Sequence, residues 1–236
     1  MKIVDQASPN FDERAGGAPD AIILHYTDMK TAQEALDRLR DPDFEKPVSS
    51  HYLIDTDGTV YRLVDEDKRA WHAGKSWWQG ETDMNSRAIG IELANPGHTN
   101  GYVPFPAAQM KALAELCRDI MARHAIRPER VLAHSDVAPV RKKDPGELFD
   151  WKGLAAQGIG VWPDPLREDF DKAAAFDIRA ALTAYGYTPH DDLQTVLTAF
   201  QRNFHPEIFK TPEKVGQADP ETAARLRWLQ NLKLSA

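Results

Sequence analysis

The chain has 236 residues, of which 42% are hydrophobic and 28% are charged, a composition typical of a globular protein with a sizeable core. Its formal net charge of -7 excludes the broad basic surface that binds nucleic acid or anionic lipid. The single cysteine, Cys117, excludes an intramolecular disulfide, and no apolar run approaches the roughly 20 residues that a membrane span needs.

The first hundred residues alternate predicted strands and helices. Residues 20–26 contain a short apolar run that suits a buried strand ending at His25. Apolar residues at helical spacing predict a helix over 31–41, which an Asp-Pro pair ends. Residues 50–55 and 59–64 are rich in strand-forming residues and flank an Asp-Gly pair, so they predict a hairpin.

The same alternation continues to about residue 150. Residues 88–93 form a predicted strand that carries Glu92 on the face opposite its apolar side chains. The helix that starts at Pro106 is the clearest of the chain, and a further strand is predicted over 130–134. Interleaved strands and helices predict an α/β fold with a mixed central sheet flanked by helices.

The pattern changes after Trp151. Residues 158–169 contain glycine and proline without periodicity and indicate a linker between residues 1–157 and a small three-helix domain at 170–236. The three helices are predicted over residues 170–186, 191–204 and 220–232.

Two histidines and an aspartate stand where strand ends bring them together. His134 ends a predicted strand and Asp144 follows ten residues later in a polar loop, whereas His25 ends a separate strand. Three such ligands leave the fourth tetrahedral position of zinc open to water, which is a catalytic arrangement. The alternative is a backbone-bonded His25 and a simple turn at Asp144, since no local metal motif is matched.

Five blocks of sequence, in order across residues 20 to 151, carry a family resemblance. They are Ile23-Leu24-His25-Tyr26-Thr27, Val48-Ser49-Ser50-His51-Tyr52-Leu53-Ile54, Ala70-Trp71-His72-Ala73-Gly74, Ile89-Gly90-Ile91-Glu92, and His134-Ser135-Asp136 through Lys142, Asp144, Pro145 and Gly146. The chain resembles the zinc-dependent N-acetylmuramoyl-L-alanine amidases of type 2. That family includes anhydromuramyl-peptide recycling amidases, phage lysozyme-type amidases and peptidoglycan recognition proteins.

The resemblance implies a set of site residues. Its ligands correspond to His25, His134 and Asp144, which would hold one Zn2+ per chain, and its catalytic pair corresponds to Glu92 and Lys142. Glu92 would be the general base for zinc-activated water, and Lys142 would face the developing oxyanion. Taken singly, Glu92 is more typical of a solvated position on an edge strand, and Lys142 of a basic surface run.

Further aromatic residues and histidines are candidates for the substrate groove. We expect His51, Trp71, His72 and Trp77, with Trp78, to line it, because aromatic faces pack on sugar rings. The remaining motif-free histidines are expected to be structural or on the surface, and Cys117 to lie in the core. They are His98, His124, His190 and His205.

The helices at 170–236 resemble the peptidoglycan-binding module that often accompanies these amidases. The shared pattern is short: Ala184-Tyr185-Gly186-Tyr187, Val196 to Arg202, and Asp219 followed by Thr222, Leu226 and Leu229. A helical cap that stabilises the catalytic domain is the alternative.

The resemblance predicts hydrolysis of the amide between (anhydro)muramic acid and L-alanine in peptidoglycan or its turnover fragments. We expect muropeptides as the binding partner, no nucleic acid, no membrane span and no evident protein partner. The absence of a signal pattern favours a cytoplasmic recycling enzyme over an exported wall-degrading or phage-lysis amidase in the periplasm or outside the cell. A non-catalytic recognition protein would lack a ligand or the catalytic pair, and a non-metal scaffold would bind no zinc.

Overall fold

The computed structural model describes residues 2–173 and 177–234. Its strands are β1 (Ile3–Asp5), β2 (Phe11–Glu13), β3 (Ala21–Tyr26), β4 (Tyr52–Ile54), β5 (Val60–Arg62), β6 (Lys68–Ala70), β7 (Ala88–Leu93) and β8 (Val131–Ala133). Six of them form one sheet in the order β1-β5-β4-β7-β3-β8, in which only β4 and β5 pair antiparallel. Strands β2 and β6 form a separate antiparallel pair.

Helices cover both faces of this sheet. They are α1 (Ala32–Arg40), α2 (Met84–Arg87), α3 (Gly97–Asn100), α4 (Ala107–His124), α5 (His134–Val137), α6 (Trp151–Ala155), α7 (Arg167–Ala173), α8 (Ile178–Tyr185), α9 (Leu193–Phe204) and α10 (Pro220–Leu234). The predicted α/β class with a mixed sheet flanked by helices is confirmed. Within the described ranges, no helix combines the length and the apolar character needed to cross a membrane.

The two longest strands show which side chains lie on each face of the sheet. In β3 and β7 the residues Ile22 and Ile89 lie opposite each other and pack under α4. Their neighbours Ile23 and Gly90 face the other side, because successive side chains alternate across a strand. Both strands are buried on each face, which accounts for their nearly continuous apolar sequences.

The C-terminal helices lie on that second face. Leu182 of α8, Phe200 of α9 and Leu226 of α10 belong to the same buried cluster as Ile23 and Trp78. This continuous core covers the sheet opposite α4. The division into residues 1–157, a linker and a separate helical domain stays a prediction.

The helix boundaries in this part differ from the predicted ones. The predicted helix over 170–186 is two helices, and Asp177 starts the second because its side chain accepts a hydrogen bond from the backbone N–H of Ala180. Residues 174–176 of the predicted helix lie outside the described residues. Helix α7 also begins at Arg167, inside the predicted linker, so the described part has four α-helices here rather than three.

Candidate metal centre and substrate groove

Three adjacent parallel strands end at the candidate site. His25, near the end of β3, lies beside Glu92 of β7 in the register of the sheet. His134 directly follows β8, which pairs with β3 on its other side. The loop after α5 returns Asp144 to this point, where its carbonyl accepts from the N–H of Ser135 at 3.0 Å. The sheet therefore brings together residues more than 100 positions apart.

The side chains of His25, His134 and Asp144 converge on one point. The two Nδ1 atoms are 2.8 Å apart, and Oδ2 of Asp144 lies 3.1 Å from Nδ1 of His25 and 2.9 Å from that of His134. Ligands at about 2.0 Å from a tetrahedral zinc would be about 3.3 Å apart, so a small relaxation would admit the ion. Two imidazoles and one carboxylate are also a donor set that zinc accepts, and the three residues fit a metal ion.

Electrostatics keep His25 and Asp144 in the form that binds a cation. Burial and the neighbouring His134 ring lower the pKa of His25 to about 4, so its imidazole is neutral at pH 7. Burial by itself would raise the pKa of Asp144, but the His134 and His25 rings outweigh it and hold that pKa well below its usual range. The centre therefore presents the neutral imidazole of His25 beside an ionised carboxylate.

The outward ring nitrogens of both histidines have partners that fix their tautomers. Nε2 of His134 donates to the carbonyl of Ala73 at 3.2 Å, which leaves its Nδ1 as a lone-pair donor. Nε2 of His25 lies 3.1 Å from Nδ1 of His72. When Nδ1 of His25 acts as a ligand, its Nε2 carries the proton and donates it to His72.

His72 sits on the surface of β7 because residue 90 is glycine. A Cβ at Gly90 would lie 2.4 Å from Cγ of His72, so a larger side chain would displace the ring. Nε2 of His72 has no hydrogen-bond partner among the described residues, although the ring lines the groove. With Nδ1 accepting from His25, this buried Nε2 carries the proton of the ring.

Glu92 and Lys142 line the same groove as the centre. Oε2 of Glu92 is buried and has no partner in the described part of the chain. Burial and the Asp144 carboxylate raise the pKa of Glu92 well above its usual value, and the Lys142 ammonium opposes this shift. A turn in which the N–H of Lys142 donates to the carbonyl of Ala138 at 3.0 Å holds the lysine backbone. The arrangement offers a proton acceptor and a cation beside one metal position.

The groove is a cavity of about 450 Å3. Trp71 and His72 line it, as the sequence suggested. His51 does not: it is fully buried, and its Nδ1 accepts from the N–H of Gly90 at 2.9 Å. Trp77 is half-buried with its ring against His190, and Trp78 fills the core beside Tyr185 and Tyr187. In the described part of the chain, none of these three side chains lines the cavity.

His98 is a groove residue that sequence reasoning missed. Its ring lines the cavity, its Nδ1 lies 2.7 Å from the Tyr26 hydroxyl, and its Nε2 lies 3.1 Å from the Glu147 carboxylate. His98 follows β7 by a few residues, and the shared edge of the parallel sheet was the only signal that could have indicated it.

Known amidases are similar in sequence to the region that carries this site. The family model described as N-acetylmuramoyl-L-alanine amidase matches residues 15–147. The chain belongs to this family. It is 39% identical to the N-acetylmuramoyl-L-alanine amidase AmiD of Escherichia coli over 231 residues, covering 86% of this chain and 79% of AmiD. It is also 35% identical to the 1,6-anhydro-N-acetylmuramyl-L-alanine amidase AmpD of Haemophilus influenzae, over 61% of this chain and 86% of AmpD.

Solved structures resemble the whole described fold, including the C-terminal helices. The E. coli AmiD complex with anhydro-N-acetylmuramic acid-L-Ala-D-gamma-Glu-L-Lys superposes with a TM-score of 0.79 and 37% identity, covering 92% of this chain and 91% of AmiD. AmpDh3 of Pseudomonas aeruginosa superposes with a TM-score of 0.81 and 31% identity, covering 94% of each chain. The fold is thus shared over more than nine tenths of this chain.

Proposed function

We propose that this protein is a zinc-dependent N-acetylmuramoyl-L-alanine amidase that hydrolyses the amide between (anhydro)muramic acid and L-alanine. The observation that carries the proposal is the convergence of His25, His134 and Asp144 beside Glu92 in one groove. The similarity of this chain to AmiD, which covers 86% of this chain and 79% of AmiD, supports this substrate class, because the solved AmiD complex holds an anhydromuramyl tripeptide. The chain would bind one Zn2+.

The mechanism follows from what amide hydrolysis requires. A zinc ion held by His25, His134 and Asp144 would supply Lewis acidity and lower the pKa of a bound water. Glu92 accepts the proton of the attacking water and then delivers a proton to the departing alanine nitrogen. Lys142 supplies a positive charge for the oxygen that becomes negative during attack. The raised pKa of Glu92 suits a group that first takes and then returns a proton.

Trp71 and His72 provide the groove wall in this proposal. The Trp71 indole Nε1 donates to Asp12 at 2.7 Å, which fixes the ring where its face can pack on a sugar or a peptide. Nε2 of His72 is buried beside the same groove and has no partner among the described residues. Both residues act through binding and orientation.

Metal content and cleavage together test the proposal. Protein purified without chelator should contain about one zinc per chain and release the tripeptide from soluble anhydromuramyl tripeptide. Asp144→Ala should lose zinc and activity together, because it removes one of three ligands. Zinc without cleavage of this substrate or of intact sacculi would favour a recognition protein, and protein that binds no zinc would contradict the metal centre. Cleavage of sacculi alone would point to a wall-degrading enzyme.

Glu92 has a test of its own. Glu92→Gln keeps the size of the side chain and removes its basicity, so turnover should fall about a thousandfold while zinc stays bound, since general base catalysis contributes roughly 100- to 10,000-fold. Zinc stoichiometry and kcat are measured on the same sample. Loss of zinc in this variant would contradict the assigned role.

A further inference from the structure

One loop carries most of the site, and a carboxylate inside it has contacts outside the catalytic region. His134, Lys142 and Asp144 all lie between residues 134 and 144. Asp136 in this loop is fully buried, and its Oδ2 accepts from the N–H of Ala133 at 2.9 Å, which caps the turn that begins with His134. The position of this carboxylate is therefore tied to the position of the His134 backbone.

The other partners of Asp136 come from the C-terminal helices. The Tyr187 hydroxyl, after α8, donates to Oδ1 at 2.6 Å, and Nδ2 of Asn203 in α9 donates to Oδ2 at 2.6 Å. Tyr187 and Asn203 are themselves buried. A buried carboxylate needs such donors. Without them it loses the hydrogen bonds that water gives to an exposed carboxylate, and this raises the free energy of the folded state.

The residue before Asn203 holds the other end of the loop. Nε of Arg202 donates to the Glu147 carboxylate at 3.0 Å, three residues beyond Asp144. Glu147 also contacts His98, whose other nitrogen meets the hydroxyl of Tyr26, next to His25. Arg202 and Asn203, which are consecutive in α9, thus contact Glu147 and Asp136 at the two ends of the ligand loop. Through Glu147 and His98, the same contacts extend to Tyr26, the neighbour of the third ligand.

We infer that three residues of the C-terminal region are positioning residues for the metal centre. They are Tyr187, Arg202 and Asn203, and together they are called the brace. The inference rests on the proposed zinc site but goes beyond it, because it gives the C-terminal helices a role in the chemistry of the centre. Through Asp136 and Glu147, the three residues hold the two ends of the loop that carries His134 and Asp144. This role is distinct from binding of wall polymer by the helices.

The test uses full-length protein and compares two buried hydroxyls in the same helical region. Tyr187→Phe removes the hydroxyl that reaches Asp136. Thr222→Val removes one that is bonded only within the C-terminal helices in the contacts seen here, to Gln201, His205 and Asp219. Zinc affinity is measured by competition with a chelator, and the coordination geometry by the visible spectrum of the cobalt-substituted protein.

The brace predicts that only one of these variants changes the centre. Tyr187→Phe should weaken zinc binding about tenfold and alter the cobalt spectrum, because Asp136 would lose a donor and the backbone before His134 would shift. Thr222→Val should keep the wild-type affinity and spectrum, even though it loses stability. Arg202→Gln, which breaks the contact with Glu147 at the other end of the loop, should also weaken zinc binding and serves if Tyr187→Phe fails to fold.

The outcomes separate this inference from the proposed function. If the wild type binds zinc and the folded Tyr187→Phe and Arg202→Gln variants bind it equally tightly with unchanged spectra, the brace is overturned and the amidase proposal stands. An equal loss of affinity in Thr222→Val would also overturn it, because the effect would then reflect general loosening. If the wild type itself binds no zinc, the proposed metal centre fails first.

Discussion

Helices cover both faces of the central sheet, but only one face also carries residues of the candidate site. On one face, Ile22 and Ile91 pack against apolar residues of α4 such as Leu113. On the other, Ile23 packs against the C-terminal helices, and the same face continues into His25 and then into the groove. One face supplies stability alone, whereas the second combines hydrophobic packing with polar contacts to the residues that carry the site.

The largest effect that the comparison predicts comes from removing the helices of the second face. A chain that ends at Gln157 lacks Leu182, Phe200 and Leu226 and exposes the apolar face around Ile23 and Trp78. Because uncovered apolar surface loses its contribution to folding, we expect no cooperative thermal unfolding by circular dichroism. A cooperative transition with wild-type zinc affinity would instead make residues 1–157 an independent domain and the C-terminal helices a separate module.

A single substitution on each face gives a sharper comparison. Leu113→Ala in α4 should lower the free energy of unfolding by about 3 kcal/mol, the usual cost of emptying a buried leucine site, and leave zinc affinity unchanged. Phe200→Ala in α9 should cost about 4 kcal/mol and also weaken zinc binding, since its ring packs 6.2 Å from that of Tyr187.

Urea denaturation of the metal-free protein measures the first quantity, and chelator competition at a temperature where both variants are folded measures the second. Equal loss of zinc affinity in the two variants would show that stability in general, and not the second face, controls the centre. If Phe200→Ala binds zinc as tightly as the wild type, packing on the second face does not influence the metal centre, and the proposed difference between the two faces is wrong.

The sequence predicted the elements whose own residues show a clear apolar pattern, and it predicted site residues that lie at the ends of such strands. The apolar runs of β3 and β7 predicted the strands. Period-two alternation predicted that Glu92 lies on the face opposite the apolar side chains of its strand, and in the structure those side chains pack under α4. Strands β1, β2 and β6 were missed, because charged residues interrupt the apolar residues in each of them. Their positions depend on pairing with distant strands, which no local pattern records.

The same limit applies within the site. Nothing near Asp136 in sequence indicates that Tyr187, 51 residues later, donates to it, nor that Arg202 reaches Glu147. The hydrophobic spacing of α9 predicted its helix but not which surface it covers. Contacts of this kind follow from packing of whole elements, so they appear only when the fold is known.

The smallest of the predicted effects concerns the α4 side and depends on pH. Glu66 lies under the end of α4, where it accepts hydrogen bonds from the Tyr52 hydroxyl at 2.7 Å and from His124 at 2.6 Å, and it also pairs with Arg123. Burial by itself would raise the pKa of Glu66, but these partners outweigh it and lower the pKa from 4.5 to about 2.

A carboxyl group with a depressed folded-state pKa stabilises the protein above its unfolded-state pKa. The stabilisation is lost as pH falls through the folded-state value. Relative to Glu66→Gln, the wild type should therefore be more stable by about 2 kcal/mol at pH 6, allowing for partial solvent screening, and the advantage should shrink between about pH 4.5 and pH 2. Urea denaturation of both proteins across this range measures it. A constant difference would mean that the glutamate acts through packing, and a parallel change in zinc affinity at pH 6 would show that the α4 face is coupled to the centre after all.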